Sequence, residues 1–329
     1  MAEKLFRAAL REALLEEMER DESVYLIGED IGVFGGAYRI TEGLLEKFGE
    51  MRVVDAPIAE EVIVGSAIGA AMTGLRPVVE MMTVNFSLLA YDQVVQNAAK
   101  IRYMFGGKVS VPMVIRLPGG AGHQLSAQHS HSFEVLYGFI PGLLVVSPTT
   151  PEDAKGLLKS AIRTDNPVMF MESMSLYNTR GEVPDEEYLT PIGKAAVRRE
   201  GADLTILGVS RQVVLALAAA QKLEDEDVDA EVIDLRSIRP LDWKTIVDSV
   251  KKTSRLLVVE EGWPTFGVSA EIAAGVQLRA FDYLDAPVNR IGGAEVPMPY
   301  NQQLEKAAIP SSEDIVKGAL AMVGKKVSA

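Results

Sequence analysis

The sequence predicts an α/β protein made of two parallel or mixed-sheet α/β domains. Three observations carry this. Short apolar runs alternate with helical segments along nearly the whole chain. Those runs are apolar at successive positions, as strands covered on both faces require. The chain has 329 residues, more than one hydrophobic core usually fills, and its rhythm breaks once, across 173–200.

The elements follow in order. Leu5, Ala9, Leu10, Ala13, Leu14 and Met18 recur at helical spacing and mark one face of a first helix. Val24–Ile27 is a short buried strand stopped by Gly28, and a glycine-rich loop, Gly32–Gly36, follows. Arg52–Asp55 reads as a strand, Pro57 opens a turn, and Ala59–Leu75 is a helix. Pro77–Met82 is a strand, Ser87–Tyr103 a helix and Val111–Leu117 a strand. A loop then carries Gly-Gly-Ala-Gly-His123-Gln-Leu-Ser-Ala-Gln-His129-Ser-His131-Ser. Leu143–Val146 is a strand, Pro151–Arg163 a helix with proline at its first position, and Pro167–Met171 a strand. The polar, turn-rich segment Arg180–Glu187 marks a domain boundary, so the expected domains are 1–185 and 198–325. In the second domain, strands Leu204–Val209, Ala230–Leu235, Leu256–Glu260 and Val288–Ile291 alternate with helices Gln212–Lys222, Trp243–Lys251 and Val268–Phe281. Ser312–Val323 is a C-terminal helix.

Composition removes several functions. A net charge of −13 without a local Lys/Arg cluster repels nucleic acid and anionic membranes. The absence of cysteine excludes disulfides, thiolate metal sites, iron–sulfur clusters and cysteine nucleophiles. No apolar run reaches membrane-spanning length, and the acidic amphipathic start resembles neither a signal peptide nor a transit peptide. The expected location is the bacterial cytoplasm or, for a mature organellar protein, the matrix.

Three places could carry chemistry. The first is Glu60-Glu61, at the start of a helix. Acids there complement the helix dipole and need no further role. Yet one of them would stand beyond the carboxyl end of a parallel strand, where open α/β sheets bind ligands. The helix behind is small-sided (Gly65, Ser66, Ala67, Gly69, Ala70, Ala71), which permits close packing against a neighbouring backbone or chain. The second place is the loop that holds all three histidines, His123, His129 and His131. It is the one segment where an unperturbed side chain changes charge near neutral pH. A metal reading needs three converging ligands, and the loop has neither a His-Glu-x-x-His helix nor Asp or Cys. The plainer reading is that some of these imidazoles only hydrogen-bond the loop. The third place is Phe86, which either packs in the core or lines a pocket past a strand end. Gly32–Gly36 lacks the dinucleotide-binding spacing, there is no Walker sequence, and no Gly-Asp-Gly diphosphate segment occurs.

Together these segments resemble a known family. DAPIAEEVIVGSAIGAAMTGLRPVVEMMTVNFSLLAYDQVVQNAAK, the loop ending AQHSHSFE, PGLLVVSPTTPEDAKGLLKSAIRTDNPVMFMES, VIDLRSIRPLDWKTIVDSVKKTSRLLVVEEGW and VPMPYNQQLEKAAIP resemble the beta subunit of the first component of 2-oxoacid dehydrogenase complexes. The likeness covers nearly the whole chain. NFSLLAYDQ and VPMPY are most similar to the pyruvate-specific branch. Branched-chain and acetoin enzymes are the near alternatives. A non-catalytic scaffold of the same fold, or a metal-dependent hydrolase built on the histidines, is a more distant one.

The resemblance implies a pyrimidine-binding domain for thiamine diphosphate followed by a transketolase C-terminal-like domain. It implies an alpha subunit, two alpha and two beta chains together, that supplies the diphosphate site and Mg²⁺, which accounts for the missing Gly-Asp-Gly. The implied reaction is oxidative decarboxylation of pyruvate, with acetyl transfer to the lipoyl group of a dihydrolipoyl acetyltransferase core. Glu60 matches the glutamate that bonds the pyrimidine ring nitrogen and favours the tautomer able to take the thiazolium proton. Phe86 matches an aromatic beside the aminopyrimidine. His129 matches an entrance histidine that donates a proton during acyl transfer. His123 and His131 match no assigned role. Relatives also hold a structural K⁺ through backbone carbonyls, at positions matching Met113, Ala161, Ile162, Thr164 and Asn166, with Thr164 in place of an aspartate found in some of them.

Overall fold

The computed structural model describes residues 1–325. They form two compact units, one of Met1–Gly119 with Leu136–Ile192, the other of Gly120–Val135 with the chain from Gly193 onward. The division falls inside the polar stretch 173–200. The loop 120–135 belongs with the second unit, a placement that the run of strands and helices does not announce.

The first unit contains strands β1 (Ala2–Leu5), β2 (Val24–Gly28), β3 (Val53–Asp55), β4 (Arg76–Glu80), β5 (Val114–Gly119), β6 (Leu144–Val146), β7 (Val168–Ser173) and β8 (Arg180–Val183). Its helices are α1 (Phe6–Arg20), α2 (Leu44–Phe48), α3 (Glu60–Met72), α4 (Ile101–Met104), α5 (Glu134–Gly138), which begins in the loop, and α6 (Pro151–Arg163). Six strands lie side by side in the order β6-β7-β5-β4-β2-β3, all parallel. Phe6, Leu10, Leu14 and Met18 of α1 share one core with Leu157 and Leu158 of α6 and Phe170 of β7. The helix α6 starts where its sequence says: Thr150 caps it, with its side chain accepting from the Asp153 amide, and Pro151 occupies the first turn.

Two expectations change. Leu5 ends a strand instead of joining the first helix, because β1 pairs antiparallel with β8, the polar segment read as a boundary. The single helix expected over Ser87–Tyr103 is broken into a 3₁₀ turn at Phe86–Leu88, a π-helical turn at Gln93–Ala98, and α4. The Ala99 amide donates to the Val94 carbonyl at 3.0 Å, five residues back. An apolar period does not distinguish such a turn from an α-turn.

The second unit contains β9 (Ala196–Arg199), β10 (Leu204–Gly208), β11 (Ala230–Asp234), β12 (Ser237–Arg239), β13 (Leu256–Val259) and β14 (Asn289–Ile291). Its helices are α7 (Arg211–Glu224), α8 (Trp243–Thr253), α9 (Val268–Ala280), α10 (Gln302–Ala308) and α11 (Ser312–Met322). The sheet order is β14-β13-β10-β11-β9, parallel except for the antiparallel edge strand β9. Val213, Ala216 and Ala220 of α7 and Ile315, Ala319 and Leu320 of α11 cover one face. A capping box between Ser311 and Asp314 fixes the start of α11.

One polar cluster lies inside the first unit. Arg116 of β5 is 1% exposed. Its guanidinium bonds both oxygens of Glu172 on β7, at 2.8 and 2.9 Å, and also Glu80 on β4. Tyr177 donates to Glu172 at 2.7 Å. Burial drives the Glu80 carboxyl above its ordinary value, with Arg116 pulling the other way. Removing the cation strands two carboxylates in the core. Arg116→Met is therefore expected to lose about 3–5 kcal/mol of stability, read from urea unfolding midpoints of the full chain. A loss within about 1 kcal/mol would mean that the cluster contributes no more than surface pairs do.

Candidate active site

Strand order in the first unit decides where a ligand can lie. The chain runs from β2 to β3 on one side, then to β4 on the other side of β2, so the order reverses between β2 and β4. Open parallel sheets bind ligands beyond the carboxyl ends of their strands at such a reversal. The segments leaving β2, β3 and β4 carry Glu29, Glu60 and Phe86 in turn.

Glu60 is the first residue of α3 and is 6% exposed. Its neighbour Glu61 faces solvent, where Gln93 donates to it at 3.3 Å. A carboxylate that only complements the dipole has no reason to be buried, so the two acids are physically different. Glu29 is half-buried nearby. Burial raises its carboxyl above the ordinary value, and the charges of Glu60 and then Asp30 raise it further. Asp55, at the end of β3, accepts from the Gly32 amide at 2.6 Å and ties down the glycine loop. A Cβ on Gly32 would lie 2.5 Å from that carboxylate, so a larger residue would have to push it aside and strain the bond to the Gly32 amide.

Phe86 opens its 3₁₀ turn partly buried, its amide donating to the Thr83 carbonyl at 3.1 Å. The hydroxyl of Thr83, a residue 4% exposed, is buried without a hydrogen-bond partner. An orphaned buried hydroxyl and an aromatic face beyond β4, with a buried carboxylate beyond β3 on the other side of β2, are a set of groups that fits a flat nitrogen heterocycle such as an aminopyrimidine.

The three histidines separate. His123 is exposed, His129 is partly buried, and both lie in the loop of the second unit. The His131 ring stacks on Phe133 at 4.4 Å and meets Trp263 edge-on at 5.8 Å. Burial pushes its imidazole below the ordinary value. Among the described residues no group of three or more His, Cys, Asp or Glu could hold a metal ion.

The positions matched to K⁺ gather at the end of α6. Ala161 and Ile162 belong to its last turn, whose carbonyls lack partners within the helix. Arg76, absent from the sequence argument, donates to the carbonyls of Ile162 and Thr164, both at 3.0 Å, and to Asp165 at 2.6 Å. The Met113 carbonyl accepts from Val168 at 2.9 Å, and Asn166 donates to the Thr164 hydroxyl at 3.2 Å. Each engaged carbonyl keeps a second lone pair.

Glu29 was within reach of sequence reasoning, since it follows a strand end as Glu60 does. Two carboxylates of the second unit were not. Glu261 accepts from the Ala121 amide at 2.7 Å and from the Ser132 hydroxyl at 3.2 Å. Glu305 accepts from the Gly122 amide at 2.9 Å and the Gln124 side chain at 2.7 Å.

The chain matches the family models for the transketolase pyrimidine-binding domain, over residues 3–180, and the transketolase C-terminal domain, over residues 193–315. It is 50% identical over 311 residues to a protein named pyruvate dehydrogenase E1 component subunit beta from Rickettsia felis, covering 94% of this chain and 95% of that one. It is 51% identical to the mitochondrial protein of that name from Dictyostelium discoideum, covering 95% of this chain and 89% of that one. A solved structure described as a split gene transketolase, inactive beta4 tetramer, aligns with 98% of this chain and 99% of its own at a TM-score of 0.81 and 21% identity, a likeness of fold. Among the described residues no helix is long and apolar enough to cross a membrane.

One titration is specific to the loop. Burial, followed by the charges of Glu261 and Glu260, pushes the Glu134 carboxyl from the ordinary 4.5 up to about 7. The folded chain thus keeps a proton that the unfolded chain releases, and stability falls as pH rises from 4.5 through about 7. Glu134→Gln is expected to melt with the parent near pH 4.5 and above it at pH 8, each 1 kcal/mol being worth about 2–4 °C. Parallel melting curves across that range would place the Glu134 proton elsewhere.

Proposed function

The chain belongs to the family of pyruvate dehydrogenase E1 beta subunits, and from that premise we propose that it is one half of a two-chain, thiamine diphosphate-dependent enzyme that decarboxylates pyruvate. The other half is an alpha subunit holding Mg²⁺ and the cofactor's diphosphate, in an assembly of two alpha and two beta chains. The acetyl group passes to the lipoyl group of a dihydrolipoyl acetyltransferase. The compartment on this reading is a bacterial cytoplasm or an organelle matrix.

The observation that carries the proposal is Glu60, a buried carboxylate at a helix start, in a sheet whose ligand end has no diphosphate motif. When bound, thiamine diphosphate supplies the nucleophilic carbon and the electron sink that decarboxylation needs. Glu60 would hold the pyrimidine ring nitrogen through its carboxylate. Its place in the first turn of α3 sets it at the positive end of the helix dipole, which favours an anionic partner for a ring N–H. Phe86 would lie against the ring, and its partial burial keeps water from that side. Glu29 lies close enough that Glu60 raises its carboxyl, so a proton released near Glu60 has a second acceptor.

Mixing the chain with its alpha partner, thiamine diphosphate, Mg²⁺ and pyruvate is expected to release CO₂, with neither chain active alone. Glu60→Gln in that assembly is expected to lower kcat by about 10²–10⁴-fold, the span of acid–base contributions. Activity of the lone beta chain, or near-normal turnover by the variant, would refute the shared site.

The carbonyls around the α6 end carry a second proposal. Their remaining lone pairs, at the negative end of a helix dipole, suit K⁺ held beside Arg76. Potassium chloride is expected to raise the melting midpoint over tetramethylammonium chloride at equal ionic strength, the stabilisation amounting to about 2.7 kcal/mol at 100 times the dissociation constant. Equal midpoints would leave Arg76 as the only cation there.

A further inference from the structure

The loop that carries His129 is held by two carboxylates of its own unit. Between Gly120 and Ser132 it turns through unusual backbone. Gly122 has φ +109°, and Gln124 and Ser126, which are not glycine, have φ +54° and +68°. Left-handed conformations of such residues cost about 1–3 kcal/mol each and persist only where the surroundings impose them. Around Gly122 and Gln124 the surroundings are Glu305, with Glu261 holding Ala121 and Ser132 at the ends of the loop.

Glu305 is 1% exposed and sits in α10. One of its oxygens accepts from the amides of Gly122 at 2.9 Å and Gln124 at 3.2 Å. The other accepts from the Gln124 side chain at 2.7 Å. The helix under it is itself fixed, since Asn301 caps the amides of Gln303 and Leu304 at 2.9 and 3.2 Å. Glu261 takes the Ala121 amide and the Ser132 hydroxyl, and Arg211 steadies it at 3.3 Å. The Gly120 amide donates to the His131 carbonyl at 2.9 Å and closes the base of the loop. Successive amides turned inward make a nest for an anion, and this chain fills the nest with its own side chains. Burial alone would raise the Glu305 carboxyl. The Gln124 side chain, the Gly122 and Gln124 amides and the nearby His123 outweigh it and hold the group below its ordinary value. The clamp therefore stays charged through neutral pH.

We infer that Glu305 is a positioning residue for His129: by holding Gly122 and Gln124, it fixes the turn that continues through Ser126, whose carbonyl accepts from the His129 amide at 3.4 Å, and so sets where that imidazole stands. The inference rests on the reading of His129 as the proton donor in acyl transfer. In that step the lipoyl disulfide opens, one sulfur takes the acetyl group, and the other leaves as a thiolate that needs a proton. The two electrons come from the decarboxylated substrate. Decarboxylation itself requires nothing from position 129. Loss of the clamp therefore slows transfer and spares decarboxylation.

The experiment uses the alpha–beta assembly with two assays. One follows pyruvate decarboxylation with a one-electron artificial acceptor. The other follows acetylation of a free lipoyl domain. Glu305→Gln and His129→Ala are each expected to lower lipoyl acetylation about 10–100-fold, the scale of a misplaced catalytic group. Acceptor-linked turnover should stay within about threefold, since it bypasses the group that moves. Adding Glu305→Gln to His129→Ala should cost nothing more, because both act on one step. Equal falls in both assays, or a full further loss in the double variant, would overturn the inference. If Glu305→Gln does not fold, Gln124→Ala removes one donor and is expected to give a smaller loss with the same selectivity. Hydrogen exchange of peptides covering 120–126 adds a readout independent of activity: Glu305→Gln should speed exchange there and leave α7 unchanged. Wild-type assemblies inactive on pyruvate would refute the functional reading instead, and unchanged exchange would still overturn the clamp.

Discussion

A guanidinium buried between two carboxylates sits across the three central strands of the first unit. Arg116 on β5 reaches Glu80 on β4 and Glu172 on β7, so a charge on each strand is satisfied only if all three hold their register. A slip by one residue would turn one partner to the opposite face and leave a buried charge unpaired. The consequences run outward from there. Glu80 is the last residue of β4, and the segment leaving it leads to Thr83 and Phe86. The same carboxylate limits the glycine loop, because a Cβ on Gly36 would come within 3.0 Å of it. The positions of the aromatic and of the glycine loop thus rest on a buried ion cluster behind them.

Much of this was legible in the chain itself. Uninterrupted apolar strands between helices specify a parallel sheet, and two such sheets are found. Glu60 could be singled out as a candidate because helix starts and strand ends both leave a local pattern. Two of the features that escaped have a common cause: they join residues far apart along the chain. Nothing near position 305 points to Gly122, 183 residues away. Nothing near Arg76 points to the carbonyls of Ile162 and Thr164. The strand β8 hid for another reason. An edge strand exposed to water carries polar residues, and Arg180–Val183 therefore looks like a turn until β1 pairs with it. The π-helical turn at Gln93–Ala98 differs from an α-turn by one residue per hydrogen bond, too little for an apolar pattern to register.

The two sheets use the same topological opportunity differently. In the first, strand order reverses between β2 and β4, and the segments leaving that region carry Glu29 and Phe86, with Glu60 just beyond β3. In the second, the reversal falls between β10 and β13. There Glu261 follows β13 and Arg211 follows β10, and the two bond each other at 3.3 Å. The loop amides then close over Glu261.

That closure makes the second sheet a receptor whose guest is part of its own chain. A tethered guest competes at an effective concentration that a dissolved metabolite rarely matches. A nucleotide or sugar phosphate seeking this crevice would have to expel the loop and replace its hydrogen bonds to Glu261 and Glu305 while bringing its own negative charge toward two carboxylates. The second sheet in this sense serves as a mount for its own loop. Substitutions that made it a ligand pocket would first have to release the histidines, so any ligand it gained would come at the expense of the imidazole it now holds.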